Sequence, residues 1–138
     1  MIAVSNSSPL IALSRIGRLG ILASLYERIL IPAEVHHEVI VDGRGLRGAE
    51  EVRRAVWIEV APQRASTDPL LEQACKGLGA GERDAILLAK RTGAGLVLLD
   101  EWKARRIAGE VGLAITGCLG VLVAAAAEAL SRIFVQRT

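Results

Sequence analysis

The sequence predicts an α/β protein: one domain over residues 1–138, three-layered (α/β/α), with a central parallel sheet of four to five strands. Three observations predict it. Short apolar runs recur along the chain, each followed by a longer stretch whose apolar residues have helical spacing. Hydrophobic residues make up 51% of the chain, which excludes disorder, and 138 residues are enough to bury a core. Only 3% are aromatic, so that core must be built from Leu, Ile, Val and Ala.

Residues 2–4, Ile-Ala-Val, form the first predicted strand. Ser8 and Pro9 then read as a helix cap followed by a proline in the first helical position, and Gly17 stops that helix. A second helical stretch covers residues 19–26. Residues 28–31 give the second strand, ended by Pro32, and a helix follows over residues 33–41, closed by Asp42 and Gly43. The segment 43–56 is rich in Arg and Gly, with a short helix from Ala49. Residues 57–60 form a third strand and residues 62–69 a loop. Glycines 77, 79 and 81 open a helix over residues 82–91, which Thr92 and Gly93 end. Residues 96–99 are a wholly apolar strand, with a helix from Glu101 to about Glu110. Residues 113–115 form the last strand, and Gly117 leads into a long final helix.

Composition narrows the function. Lys and Arg number 17 against 15 Asp and Glu, and a net charge of +2 neither demands nor excludes nucleic acid. Cys75 and Cys118 lack the spacing of a ligand pair and are expected to be reduced and buried. Residues 1–5 carry no basic leader, and the longest apolar run, residues 119–127, is mostly Ala and short for a membrane span. A soluble cytoplasmic protein without membrane attachment is expected. No Walker motif and no nucleophile elbow is present. His36 and His37 are adjacent, so on a helix they diverge by about 100° and cannot share a metal.

In an open parallel sheet, sites gather beyond the carboxyl ends of the strands. That rule selects Asn6 after the first strand, Asp100 after residues 96–99 and Thr116 after the last strand. Glu82 lies in the first turn of its helix and shares a face with Ala85, Ile86 and Ala89, so it points towards the sheet; it reads equally as a capping glutamate. Asp84 lies on a different face. Glu38, on the helix after the second strand, reads by itself as a solvated glutamate. Carboxylates without His or Cys suit a hard cation, Mg2+ or Mn2+, which can activate water and stabilise charge developing on a phosphodiester. Candidate phosphate contacts are Arg44, Arg47, Arg53 and Arg54, although Glu50, Glu51 and Glu59 lie among them, and Lys103, Arg105 and Arg106 beside Asp100.

The ordered motifs resemble a known family. Ser5-Asn6-Ser7-Ser8-Pro9-Leu10-Ile11 follows the first strand, and Pro32-Ala33-Glu34-Val35 leads to Glu38. Leu78-Gly79-Ala80-Gly81-Glu82-Arg83-Asp84-Ala85-Ile86-Leu87-Leu88-Ala89 is the most specific segment. Leu98-Leu99-Asp100-Glu101 with Ala104-Arg105-Arg106-Ile107-Ala108, then Thr116-Gly117-Cys118-Leu119-Gly120-Val121-Leu122, complete the set. From Ile2 to about Ala127 these resemble PIN domains, in the branch related to VapC-type toxins. The resemblance implies a Mg2+- or Mn2+-dependent ribonuclease specific for single strands, with Glu38, Glu82 and Asp100 in three of four acidic positions. The fourth, normally aspartate, is Asn6 here, whose carbonyl can still ligate a metal beside Glu82 and Asp100 but adds no charge. Ser7 would orient a ligand or water. RNA, a cognate antitoxin and a second copy of the chain are the implied partners, with the Ala-rich last helix able to pack closely. The neutral Asn6 also admits a weakened or inactive domain that binds RNA or protein.

Overall fold

The computed structural model describes residues 1–43 and 47–137. Five strands, β1 (Ile2–Ser5), β2 (Arg28–Ile31), β3 (Ile58–Val60), β4 (Leu96–Leu98) and β5 (Ile115–Thr116), pair in parallel in the order β3-β2-β1-β4-β5. The chain runs outward from β1 through β2 to β3, then crosses back to the other side of β1 for β4 and β5. The strand order therefore reverses between β1 and β4, and the crevice beyond their carboxyl ends is where such sheets bind ligands.

The two-residue period of the strands divides the core. Ala3, Ile29, Ile31 and Leu98 face a layer formed by α1 (Ser7–Arg15), α2 (Ile21–Leu25), α3 (Ala33–His36), α4 (Arg47–Arg54) and the start of α8 (Cys118–Arg137). Val4, Val97 and Leu99 face the opposite layer, formed by α5 (Pro69–Ala74), α6 (Ala80–Thr92) and α7 (Trp102–Glu110). Strands apolar on both sides are what a sheet covered on both faces requires. Leu10, Ile29, Ile86 and Leu98 are fully buried, each worth about 2 kcal/mol before its entropy is subtracted.

Several boundaries differ from expectation. α1 starts at Ser7, so Asn6 and not Ser8 is its cap, and Pro9 still falls within the first turn, where a missing N–H costs nothing. The expected helix over 33–41 is α helical only to His36; residues His37–Val41 form a π turn in which the Asp42 N–H reaches back to the His37 carbonyl at 2.9 Å. α5 was not expected at all, although Asp68 caps it by accepting from the Leu71 N–H at 3.1 Å and Pro69 stands at its first position. β5 begins at Ile115, because the Leu113 N–H bonds instead to the Ala108 carbonyl behind α7.

α8 is longer than its apolar run suggested. The 18 residues Cys118–Val135 have a mean hydropathy of 1.9, so by length and composition alone this helix reaches the size of a membrane span. The run continues past Ala127 because the charges there, Glu128 and Arg132, neutralise each other one turn apart at 2.6 Å.

Candidate active site

Asn6 stands at the switch point. Its backbone N–H donates to the Leu98 carbonyl at 3.1 Å, joining the end of β1 to the end of β4. An asparagine at a helix cap normally accepts a bond from the first turn. This side chain makes no capping bond, and it has no hydrogen-bond partner among the described residues, although only 6% of Asn6 is exposed. The amide is therefore open to a ligand, whereas the one fully buried side-chain polar atom left without a partner among the described residues is Ser14 Oγ.

Glu38 comes to the same place from the π turn. The Ser7 hydroxyl donates to Glu38 Oε2 at 3.0 Å, so the first residue of α1 holds the carboxylate in position. Gly81, in the first turn of α6, has no room for a side chain. A Cβ built there would overlap Glu38 Oε1 and lie 3.1 Å from Asn6 Oδ1. The glycine at 81 is thus a spatial requirement of the site: three elements converge on its Cα, and two of them present oxygens. The reading of Glu38 as a solvated surface residue is overturned by this contact.

Glu82 follows Gly81 and does cap α6, with Oε1 accepting from the Gly79 N–H at 3.2 Å. Burial pushes its carboxyl above the ordinary glutamate range. The bond from Gly79 works against that shift, while the charge of Glu101, a hydrogen bond shared with Glu101 and the charge of Glu38 all add to it. Glu101 is displaced the other way. The backbone N–H groups of Lys103 and Ala104, both at 3.1 Å, hold its carboxyl low, and the neighbouring Glu82 side chain assists. The two carboxyls are thus displaced in opposite directions, Glu82 up and Glu101 down. In the sequence Glu101 marks only the start of a helix; its place beside Asp100 is the signal that it also belongs to the cleft.

Asp100 lies just past β4 and is tied to the opposite wall. Its Oδ1 accepts the Cys118 N–H at 2.7 Å, at the start of α8. A Cβ on Gly117 would come within 2.6 Å of Asp100 Oδ1 and 2.8 Å of Arg105 Nη1, so here too a glycine admits charged groups closely. Burial, and then the charge of Asp100, push the Cys118 thiol up. Both cysteines are free, Cys75 buried and Cys118 half-buried.

The basic residues named as phosphate contacts have local partners. Arg105 donates to the Leu99 carbonyl at 2.8 Å and so terminates β4, and Lys103 donates to the Gly77 carbonyl at 3.3 Å. Arg106 lies over the Trp102 ring at 5.3 Å and 3.9 Å from Glu110. Thr116 packs its hydroxyl against Gly120. Arg53 and Arg54 pair with Glu50, and Glu59 with Arg28, as a solvated surface would; Arg44 and the side chain of Arg47 lie outside what the structure describes. A cleft of about 850 Å³ opens beside α6, with Arg64, Lys76, Arg83 and Arg91 among its lining. None of Asn6, Glu38, Glu82 and Asp100 lines it.

Among the described residues, no three His, Cys, Asp or Glu side chains converge tightly enough to hold an ion between them. That count omits amides. With Asn6 included, the two donors facing Gly81, Asn6 Oδ1 and Glu38 Oε1, are both oxygens, which suits a hard divalent cation better than zinc.

Comparison with known proteins agrees with this geometry. A solved PilT N-terminus domain protein from the hyperthermophilic archaeon Sulfolobus solfataricus P2 superposes with a TM-score of 0.62 at 20% identity, covering 91% of this chain and 93% of that one. That likeness establishes a shared fold. No curated protein gives a significant match. The PIN domain family profile matches residues 2–134, nearly the whole chain. PIN domains are in general nucleases that use divalent metals. The five parallel strands, the switch point at Asn6 and Asp100, and the family match together place this chain in the PIN domain family.

Proposed function

We propose that the chain is a Mg2+- or Mn2+-dependent endoribonuclease acting on single-stranded RNA. The observation that carries this reading is the convergence of Asn6 Oδ1 and Glu38 Oε1 on Gly81, at the sheet's switch point. Asn6 Oδ1 and Glu38 Oε1, which meet at Gly81, would hold the cation, and Glu82 and Asp100 would have to close on it to complete the set; when bound it would supply an activated water and positive charge at the phosphodiester. Ser7 fixes Glu38. Burial, and then neighbouring Glu101, raise the Glu82 carboxyl. Arg83, whose neighbour Glu82 faces the site while Arg83 lines the adjacent cleft, gives a path for the phosphate backbone. Incubation of the protein with single-stranded RNA and Mn2+ tests the proposal. Cleavage is expected, and it must disappear in Asp100→Ala; cleavage unchanged by that substitution would come from a contaminant.

A second reading is favoured by the neutral Asn6: a domain that retains the cleft but binds RNA or a protein without cutting. Asn6→Asp separates the two. Gain of cleavage marks a weakened nuclease, and no gain with retained RNA binding marks a binding module. The finer proposal that the chain is the cytoplasmic, VapC-like toxin of a toxin–antitoxin pair rests on the resemblance of the ordered motifs. Growth arrest on expression, relieved by a neighbouring gene product, is its test.

A further inference from the structure

We infer that the cleft of about 850 Å³ beside α6 holds the single strand that flanks the cut, gripping its phosphates with Arg64, Lys76 and Arg83. The inference rests on the nuclease reading and extends it from the cation site to the length of strand engaged. The cleft opens against Pro32 and Ala33, just past β2, and against Ala61 and Pro62, just past β3. The Gly81 site lies past β1 and β4, so the two are neighbours on the carboxyl edge of one sheet. They also share elements. α3 starts at Ala33 and leads into the π turn that carries Glu38, while α6 gives Gly81 and Glu82 to the site and Arg83 to the cleft. Arg83, Leu87 and Arg91 recur every four residues, so one flank of α6 forms a wall about 12 Å long that starts beside Glu82. A strand lying across Gly81 has this wall as its continuation.

Charge selects the occupant. Arg64, Lys76, Arg83, Lys90 and Arg91 line the cleft, against Asp68, Glu72 and Asp84. Asp68 is engaged in capping α5 through the Leu71 N–H, and Asp84 lies 3.3 Å from Arg83 Nε. That exposed pair is weak, and among the described residues it leaves both outer nitrogens of the Arg83 guanidinium unused. Lys90 and Arg91 turn to the backbone, donating to the Val111 and Pro62 carbonyls at 3.0 and 3.2 Å. Arg64 and Lys76 make no hydrogen bond or ion pair among the described residues. Three cations, from the segment 62–68, the end of α5 and the start of α6, thus face one space with donors to spare. Among the described lining residues none is aromatic, and Ala61, Leu71 and Leu88 supply buried apolar surface. Bases are therefore neither stacked nor read there, and phosphates carry the binding. An acidic protein segment would match the same charges, but the continuity with the cation site favours the nucleic acid.

A labelled oligouridylate titrated into the full chain, with EDTA to prevent cleavage, tests the inference. Three phosphate contacts to a single strand predict that log K falls with log salt at a slope of about −2. Arg64→Ala and Lys76→Ala should each make that slope shallower by about 0.7 and weaken binding about fivefold at roughly 0.1 M salt, on oligoadenylate as on oligouridylate. Glu72→Gln should tighten binding, because it removes an acid from the same lining. With Mn2+ the loss in Arg64→Ala and Lys76→Ala should appear in KM rather than in kcat. Slopes unchanged in both variants overturn the proposal. So does an equal loss in Arg132→Ala, whose side chain pairs with Glu128 on α8 and lines no part of the cleft. Polyglutamate that competes as well as RNA of equal charge would mean an acidic protein segment, and overturns it too. The nuclease reading fails separately: RNA held with these slopes but never cut would keep the cleft and remove the enzyme.

Discussion

The Ser7 hydroxyl donates to Glu38 Oε2 at 3.0 Å, linking the first residue of α1 to a carboxylate carried by the π turn beyond α3. Two elements far apart in sequence thus fix one oxygen pair at the sheet's switch point. A hydrogen bond to a charged, partly buried acceptor contributes about 1.5 kcal/mol. Ser7→Ala should lower the melting temperature by about 5 °C and weaken Mn2+ binding as the carboxylate gains freedom. Thermal melts and calorimetric titration read the two effects. Full Mn2+ affinity in a destabilised variant would make Ser7 a purely structural residue.

Gly81→Ala separates the site from the fold. In an open helical position the substitution would stabilise by about 1 kcal/mol. Here the added methyl meets the far end of the Glu38 side chain, which can swing aside at the expense of its bond from Ser7. Expected are a melting temperature within a few degrees of the wild type and a loss of metal affinity of at least about tenfold, worth about 1.4 kcal/mol. A variant that fails to fold would mean that Glu38 cannot move and that the glycine is required by the core.

The fold was legible because both period rules act locally. Ala3 and Val4 are apolar neighbours that face opposite layers, and a strand buried on both sides leaves that mark in any reading. The strand-end rule likewise chose Asn6 and Asp100 before any contact was known. What stayed hidden depends on long-range geometry. Nothing within residues 33–41 announces the π turn, since Val35 and Val39 keep ordinary helical spacing and are both buried. Glu38 looked solvated because its partners, Ser7 and Gly81, lie 31 and 43 positions away. α5 was missed for a different reason: Pro69 was read as closing a loop when, behind Asp68, it opens a helix.

Glu82 and Glu101 set opposite pH dependences. Burial first, and Glu101 after it, raise the Glu82 carboxyl, so the stability this group contributes is complete below the ordinary glutamate value of 4.5 and is lost as pH rises through the raised value. Glu101 is held low by the Lys103 and Ala104 N–H groups, so its contribution is present above 4.5 and is lost as pH falls through the lowered value. Glu82→Gln keeps an acceptor for Gly79 and removes the charge. It should gain stability relative to wild type as pH climbs above about 4.5, whereas Glu101→Gln should lose stability relative to wild type as pH climbs towards 4.5 from below and stay level above it. Urea melts on both sides of 4.5 decide the matter, and parallel curves for wild type and Glu82→Gln would show that the Glu82 carboxyl is not raised in the folded protein.

Asn6→Asp adds the missing charge without disturbing the backbone, since aspartate caps a helix as well as asparagine does and favours its positive end. The new carboxylate would lie close to Glu38 across Gly81, and like charges there oppose each other when no cation is present. The cation-free variant should therefore melt below the wild type. Mn2+ should bind at least about tenfold more tightly, a gain of about 1.4 kcal/mol, and saturating Mn2+ should carry its melting temperature above that of the wild type. The two shifts have one cause, so they must appear together. A variant destabilised without metal but no better at binding it would place Asn6 outside the cation's reach, and the cleft would then have to be understood through Glu38, Glu82 and Asp100 alone.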